Sequence, residues 1–165
     1  MTLRIDPMRP SDWPAVLQIY LEGIATRQAT FETEAPSWDA WDASHLLFAR
    51  LVAREDEQLV GWTALSPVSS RKVYAGVAEV SVYVAESRRG RGLGRRLLEA
   101  LIAGSEANGI WMLQAVTFSG NAASVALHRR CGFREVGRRE RIAKLDGVWR
   151  DTMLLERRSR TIGID

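Results

Sequence analysis

Glu79-Val-Ser-Val-Tyr-Val-Ala-Glu-Ser-Arg-Arg-Gly-Arg-Gly-Leu-Gly-Arg-Arg-Leu-Leu98 is the stretch that decides the fold. Val80, Val82 and Val84 alternate with Glu79, Ser81 and Tyr83, the period of a strand with two unlike faces. The strand runs into a turn that holds Gly90, Gly92 and Gly94 among Arg88, Arg89, Arg91 and Arg95. Leu93, Leu97, Leu98, Leu101 and Ile102 then recur at helical spacing as far as Asn108-Gly109, a C-cap pair. Strand, glycine turn and immediate helix aim free amides and the positive end of a helix dipole at one spot. That spot suits a diphosphate held between Arg89 and Arg95; the competing reading is a solvated βα turn with charged decoration. The turn lacks the Gly-Lys-Ser/Thr of a P-loop, and Gly90-x-Gly92-x-Gly94 is not the GxGxxG of a dinucleotide fold. It also lies mid-chain, after at least three strands, where neither nucleotide fold starts.

Outward from that stretch, the pattern predicts a first strand over Thr2–Ile5. A helix follows from Pro10-Ser11-Asp12, with Val16, Ile19, Tyr20 and Ile24 on one side. Ala29–Pro36 is irregular. Trp38–Phe48 reads as a second helix, and Leu51–Arg54 with Leu59–Leu65 as a hairpin around Glu55-Asp56-Glu57. A polar loop spans Ser66–Tyr74, and the diagnostic strand covers Val77–Ala85. Beyond the long helix come a buried strand, Trp111–Val116, and a helix, Asn121–Arg130, stopped by Gly132. Two strands, Arg134–Leu145 and Trp149–Arg157, close the chain around Asp146-Gly147, a hairpin signal. The order β-α-α-β-β-β-α-β-α-β-β predicts an α/β fold, a mixed sheet with helices on its faces. No repeat or low-complexity linker divides it, so residues 1–157 are expected to form a single domain and 158–165 a mobile tail.

The bulk numbers agree. With 165 residues, 46% apolar and 26% charged, the chain has ordinary globular composition and enough length for a core. No apolar run approaches a membrane span and no leader pattern opens the chain, so a cytoplasmic protein without membrane association is expected. Cys131 stands alone, consistent with a reducing compartment. All of the 23 basic residues except Lys72 and Lys144 are arginine, so arginine at any one site says little. Five arginines within Arg88–Arg96 and a second cluster from Arg129 to Arg141 leave the net charge at only +3. With no recognition helix and no aromatic platform, nucleic-acid binding is not expected. No His/Cys/Asp/Glu set has ligand spacing, so no metal is implied.

Arg89-x-x-Gly92-x-Gly94 after Val82-Tyr83-Val84 resembles the acetyl-CoA signature of the GNAT N-acetyltransferases. Gly120-Asn121-Ala-Ala-Ser124-Val-Ala-Leu-His128-Arg-Arg-Cys-Gly132-Phe133 resembles that superfamily's second signature. Ala29-Thr30-Phe31-Glu32, Glu79-Val-Ser-Val-Tyr-Val, His128, and Lys144 with Gly147, Trp149 and Asp151 are similar to the phosphinothricin, or methionine sulfone/sulfoximine, acetyltransferase group. The resemblance runs to about Arg157. It implies the GNAT acyl-CoA N-acyltransferase fold, a mixed, mostly antiparallel twisted sheet with helices on both faces. It implies acetyl-CoA as cosubstrate, direct transfer to the α-amine of a small amino acid or analogue, and a homodimer. Another amine, such as an aminoglycoside, a polyamine or a protein N-terminus, is the alternative acceptor.

The resemblance also distributes roles. The main chain of Val82, Tyr83 and Val84 would pair with the pantetheine arm, with the Val82 N–H on the acetyl oxygen. Arg89, Gly90, Arg91, Gly92, Leu93, Gly94 and Arg95 would hold the diphosphate, while Asn121 and Arg130 would reach the pantetheine and a phosphate. Asn121 also reads as a plain N-cap. Glu79 is the candidate base for the acceptor ammonium, or else a strand glutamate paired with an arginine. His128 stands where most members carry a tyrosine that protonates the leaving thiolate; it reads as catalytic or as a packed helix histidine. Phe31, Glu32, Ser69, Ser70, Arg71, Tyr74 and Ser81 are the acceptor-site candidates, Arg71 either holding an amino-acid carboxylate or lying free in solvent. Cys131 reads as a packed small residue, not a nucleophile.

Overall fold

The computed structural model describes residues 2–165. Seven strands, β1 (Leu3–Pro7), β2 (Leu51–Glu55), β3 (Gln58–Pro67), β4 (Val77–Val84), β5 (Met112–Phe118), β6 (Arg134–Leu145) and β7 (Val148–Arg158), form one sheet. Its order is β1-β2-β3-β4-β5-β7-β6, antiparallel at every junction except β4/β5. Four α-helices among the described residues, α1 (Trp13–Ala25), α2 (Trp38–Ser44), α3 (Leu93–Ala107) and α4 (Ala122–Arg130), stand among the strands in the order the sequence predicts. No helix among the described residues is long and apolar enough to cross a membrane.

Helix faces explain the layering. From α1, Val16 and Ile19 meet Trp41 of α2 over Val52, Trp62 and Ala64, burying one face of the sheet. The apolar stripe of α3 covers the other face: Leu97 packs on Ala53 and Val60, and Leu98 and Leu101 on Leu65, Ala78, Val80, Leu113 and Ala115. Leu97, Leu98 and Leu101 are fully buried, each contributing about 1.5–3 kcal/mol. Cys131 is buried in the same cluster, beside Phe133 and Leu155.

One segment differs from expectation. The helix predicted over Trp38–Phe48 ends at Ser44, because Arg50 gathers the terminal carbonyls: its guanidinium donates to the main-chain oxygens of Asp42, His45 and Leu46. Beyond that point Leu46 N–H donates to Leu65 C=O and the chain runs irregularly, with bends at 45, 47 and 48, into β2. At the C-terminus, β7 runs to Arg158, whose guanidinium donates to carbonyls of Trp111, Ser159, Ile162 and Gly163. Ser159 and Thr161 hydroxyls add bonds to the Glu106 carboxylate, so residues 159–163 turn back onto the body.

Strands β4 and β5 open the middle of the sheet. Their parallel pairing lasts only three residue pairs, Val77–Met112, Ala78–Leu113 and Glu79–Gln114, and then they part. On its other side β4 stays paired with β3 to Val84. The sheet therefore carries a wedge-shaped gap at its centre.

Candidate active site

Backbone alternation decides which groups face the gap. Gly76 C=O accepts from the N–H groups of Trp111 and Met112 on the β5 side, whereas Ser81 C=O accepts from Thr63 Oγ1 on the β3 side. Main-chain groups of one residue in a strand share a side, so those of Val80, Val82 and Val84 point into the gap. Beyond Glu79, β5 supplies no ladder partner for them. An extended chain laid there would complete the ladder.

At the open end of the gap the chain turns through Gly90 and Gly92, at φ +77° and +80°. A Cβ at either would meet nothing within 4 Å, so open space surrounds both. Gly94 serves helix packing instead, since a Cβ there would come 3.2 Å from Leu127 and its absence lets α3 approach α4. Gly92 occupies the N-cap of α3, and no side chain among the described residues caps that end. The first amides of a fifteen-residue helix thus stay open to an anion. Arg88 is committed elsewhere, donating to Glu55 Oε2 at 2.7 Å, and Arg95 pairs with Glu99 at 2.7 Å. Arg89 reaches back 3.3 Å to Val84 C=O at the mouth of the gap.

A cleft of about 970 Å³ follows the gap. Its walls include Glu79, Ser81, Val82, Tyr83 and Val84 of β4, and Arg89, Gly90, Gly92, Leu93, Gly94 and Arg95 of the turn and α3. Asn121, His128 and Arg130 line it from α4 and its cap, and Phe31 and Glu32 from the loop after α1. Of the remaining candidates, Arg91 is exposed and outside the lining. Ser69, Ser70, Arg71 and Tyr74 also lie outside it, with the Arg71 guanidinium stacked 5.6 Å from the Tyr74 ring.

At the deep end of the gap Gln114 Nε2 donates to Glu79 Oε1 at 2.7 Å, leaving Oε2 available to accept a proton. His128 is buried, and its Nδ1 lies 2.7 Å from Ser124 C=O, a pure acceptor. Nδ1 therefore carries the hydrogen and Nε2 the lone pair. Burial pushes the imidazole below its ordinary value, only partly opposed by that bond. At neutral pH the ring is a neutral acceptor. Burial, with the nearby Tyr20 and Glu32, raises the Tyr83 phenol, which stays protonated. Tyr83 packs at 4.8 Å on Trp62 and within 2.7 Å of where a Cβ on Gly23 would stand, so α1 needs glycine there. Asn121 is an N-cap, its Oδ1 accepting from Ser124 N–H, and its Nδ2 donates to Gln28 C=O at 3.0 Å.

Two lining residues, Phe118 and Thr152, and Gln114 behind the lining escaped the sequence reading. Phe118 stacks edge-on with Phe31 at 4.8 Å, Gln114 orients Glu79, and Thr152 is buried with an unpartnered hydroxyl. Their signal is positional: Gln114 and Phe118 share a face of β5, and Thr152 is the β7 residue opposite Phe118. That pairing is not written in local sequence.

Comparison with known proteins meets the same arrangement. The sequence model of the acetyltransferase (GNAT) family matches residues 13–133. A phosphinothricin N-acetyltransferase from Alcaligenes faecalis is 36% identical over 163 residues, covering 94% of this chain and 81% of that protein. An L-methionine sulfoximine/L-methionine sulfone acetyltransferase from Pseudomonas aeruginosa is 32% identical, covering 88% of each. Among solved structures, a ribosomal-protein-alanine N-acetyltransferase from Brucella melitensis superposes with TM-score 0.87 at 31% identity, covering 94% of this chain and 99% of that one. A phosphinothricin acetyltransferase from Sinorhizobium meliloti, in complex with acetyl-CoA, does so at 0.85 and 25%, covering 100% and 97%. A parted β4/β5 pair, a glycine turn opening a helix and a match over most of the sequence have one common explanation: the chain belongs to the acetyltransferase (GNAT) family.

Proposed function

We propose that this enzyme transfers acetyl from acetyl-CoA directly to the α-amine of a small amino acid or analogue of the phosphinothricin, methionine sulfone or methionine sulfoximine type. The observation that carries the reading is the parting of β4 and β5 after Glu79–Gln114, between a carboxylate and an uncapped helix end. The diphosphate fits against Gly90, Gly92 and the amides opening α3, with Arg89, Arg95 and Arg130 near, and the pantetheine arm fits along Val82 and Val84. The bound acetyl then lies toward Glu79 and Ser81.

Chemistry follows from those positions. The acceptor arrives as an ammonium and gives its proton to Glu79, directly or through one water. The freed amine attacks the acetyl carbon, and the Val82 N–H steadies the oxygen as it becomes anionic. A donor of that kind is worth about 3–4 kcal/mol of barrier. Attack forms the C–N bond; collapse of the tetrahedral intermediate then breaks the C–S bond, and the second proton of the nitrogen passes through water to the departing CoA thiolate, leaving neutral amide and CoA thiol. His128, neutral with its lone pair on Nε2, enters as an acceptor for an N–H of substrate or cosubstrate. Phe31 and Phe118 wall the acceptor end. Arg71 remains a candidate for an acceptor carboxylate only where a homodimer partner brings its face to the cleft. The family resemblance supports that dimer, and the lone Cys131 thiol agrees with a cytoplasmic setting.

Two measurements decide the reading. Calorimetry with acetyl-CoA and with CoA should show saturable binding, and its absence removes the reading. A panel of amines assayed for released thiol should favour methionine sulfone, methionine sulfoximine or phosphinothricin. Preference for an alanine-terminated peptide, which the likeness to the Brucella structure makes worth including, would replace the acceptor class and keep the reaction.

A further inference from the structure

We infer that Arg150 is a positioning residue for the acceptor end, acting as a clasp that fixes the loop bearing Phe31 and Glu32; the inference rests on the acetyl-transfer reading above. Arg150 stands on β7, on the far side of β5 from the glycine turn. Its partners among the described residues are two uncharged oxygens and an aromatic face. One Nη donates to Arg27 C=O at 3.0 Å, and the other to Gln28 Oε1 at 2.9 Å. The guanidinium carbon lies 4.1 Å from the centre of the Phe118 ring.

That geometry joins two walls of the cleft. Phe118 meets Phe31 edge-on, and Phe31 lies three residues beyond Gln28. The chain leaves α1 through Arg27 at φ +56°, a left-handed conformation that a non-glycine residue holds only when its surroundings impose it. Within the turn Arg27 N–H donates to Ile24 C=O and Gln28 N–H to Thr26 Oγ1, and Arg27 pairs with Asp146 at 3.4 Å; Arg150 on the Arg27 carbonyl and Asn121 Nδ2 on the Gln28 carbonyl add the restraints that tie it to the cleft walls. A planar fork can bond two acceptors while lying flat on a ring; a lysine ammonium is a point charge that cannot do both. The clasp therefore acts on acceptor binding and leaves the coenzyme end alone.

The test compares Arg150→Ala, Arg150→Lys and Gln28→Ala with wild type, using L-methionine sulfone or whichever panel amine wild type turns over best. For Arg150→Ala the acceptor KM should rise about tenfold or more, with kcat and the acetyl-CoA Kd within about twofold. Arg150→Lys should lie between, and Gln28→Ala, an exposed change that removes one bond, should shift KM by about threefold. Hydrogen exchange of the amides of residues 27–34 should quicken in Arg150→Ala while those of α3 stay unchanged. An unchanged acceptor KM, or an acetyl-CoA Kd weakened by the same factor as KM, overturns the inference. Should Arg150→Ala fail to fold, the Gln28→Ala KM decides by the same criterion. If wild type acetylates no amine, the function reading fails, yet exchange still judges the clasp: no change at 27–34 overturns it.

Discussion

Glu79 and Gln114 face each other in the last pair before two strands separate, and this placement gives a single carboxylate its chemical character. Oε1 is tied to an amide, so rotation of the carboxylate is limited and Oε2 keeps a constant aim into the cleft. Replacing it by an isosteric amide keeps the shape and removes the basic lone pair. Glu79→Gln is therefore expected to lower kcat by about 10²–10⁴-fold, while acetyl-CoA affinity by calorimetry stays where it was. An unchanged kcat at neutral pH would remove Glu79 from the proton's path. His128 shows how a neighbour fixes a role that residue type leaves open. Histidine can give or take a proton, but a 2.7 Å bond from Nδ1 to Ser124 C=O, together with burial, leaves the neutral acceptor form. Nothing in the residues Ser124–His128 alone, one helical turn apart, announces which form results.

At the scale of elements, the turn between β4 and α3 is the part most exposed to test. Gly92 holds φ +80° with open space where a Cβ would be, so an added methyl costs conformational strain and enters the space to which the proposed function assigns the diphosphate. Gly92→Ala should lose about 1–2 kcal/mol of stability from the left-handed backbone and weaken acetyl-CoA binding about tenfold or more. Unchanged affinity would show that the diphosphate sits elsewhere. This element was fully legible beforehand, because alternation, glycine spacing and the leucine stripe are local signals. The hairpin strand predicted over Arg134–Leu145 matches the observed β6 for the same reason. The second helix was read too long because the apolar spacing of Trp38, Trp41 and Phe48 carries no trace of Arg50, which folds back to end it. Ser69, Ser70, Arg71 and Tyr74 are acceptor candidates by position, and in this structure they lie outside the cleft lining. Phe118, Thr152 and Arg150 went unread because their relevance arises only when β7 pairs with β5.

For the whole molecule, the sheet behaves as two panels, β1–β4 and β5–β7–β6, joined along a seam of three parallel pairs. Beside that ladder, Leu98 and Leu101 of α3 share one buried cluster with residues of both panels. The C-terminal residues brace the second panel from outside through Arg158 and Glu106. A molecule built this way has its shortest backbone seam beside the cleft to which the coenzyme is assigned under the proposed function. Occupancy should therefore raise the melting temperature, in proportion to the logarithm of coenzyme concentration above its dissociation constant. A thermal melt run with and without CoA, lacking the acetyl group, would read this directly, and no shift at saturation would contradict it. Rigidity is then not a fixed property of the protein. The resting enzyme is an unfinished sheet, and on the proposed function each catalytic cycle passes through a moment when a small molecule serves as its missing strand.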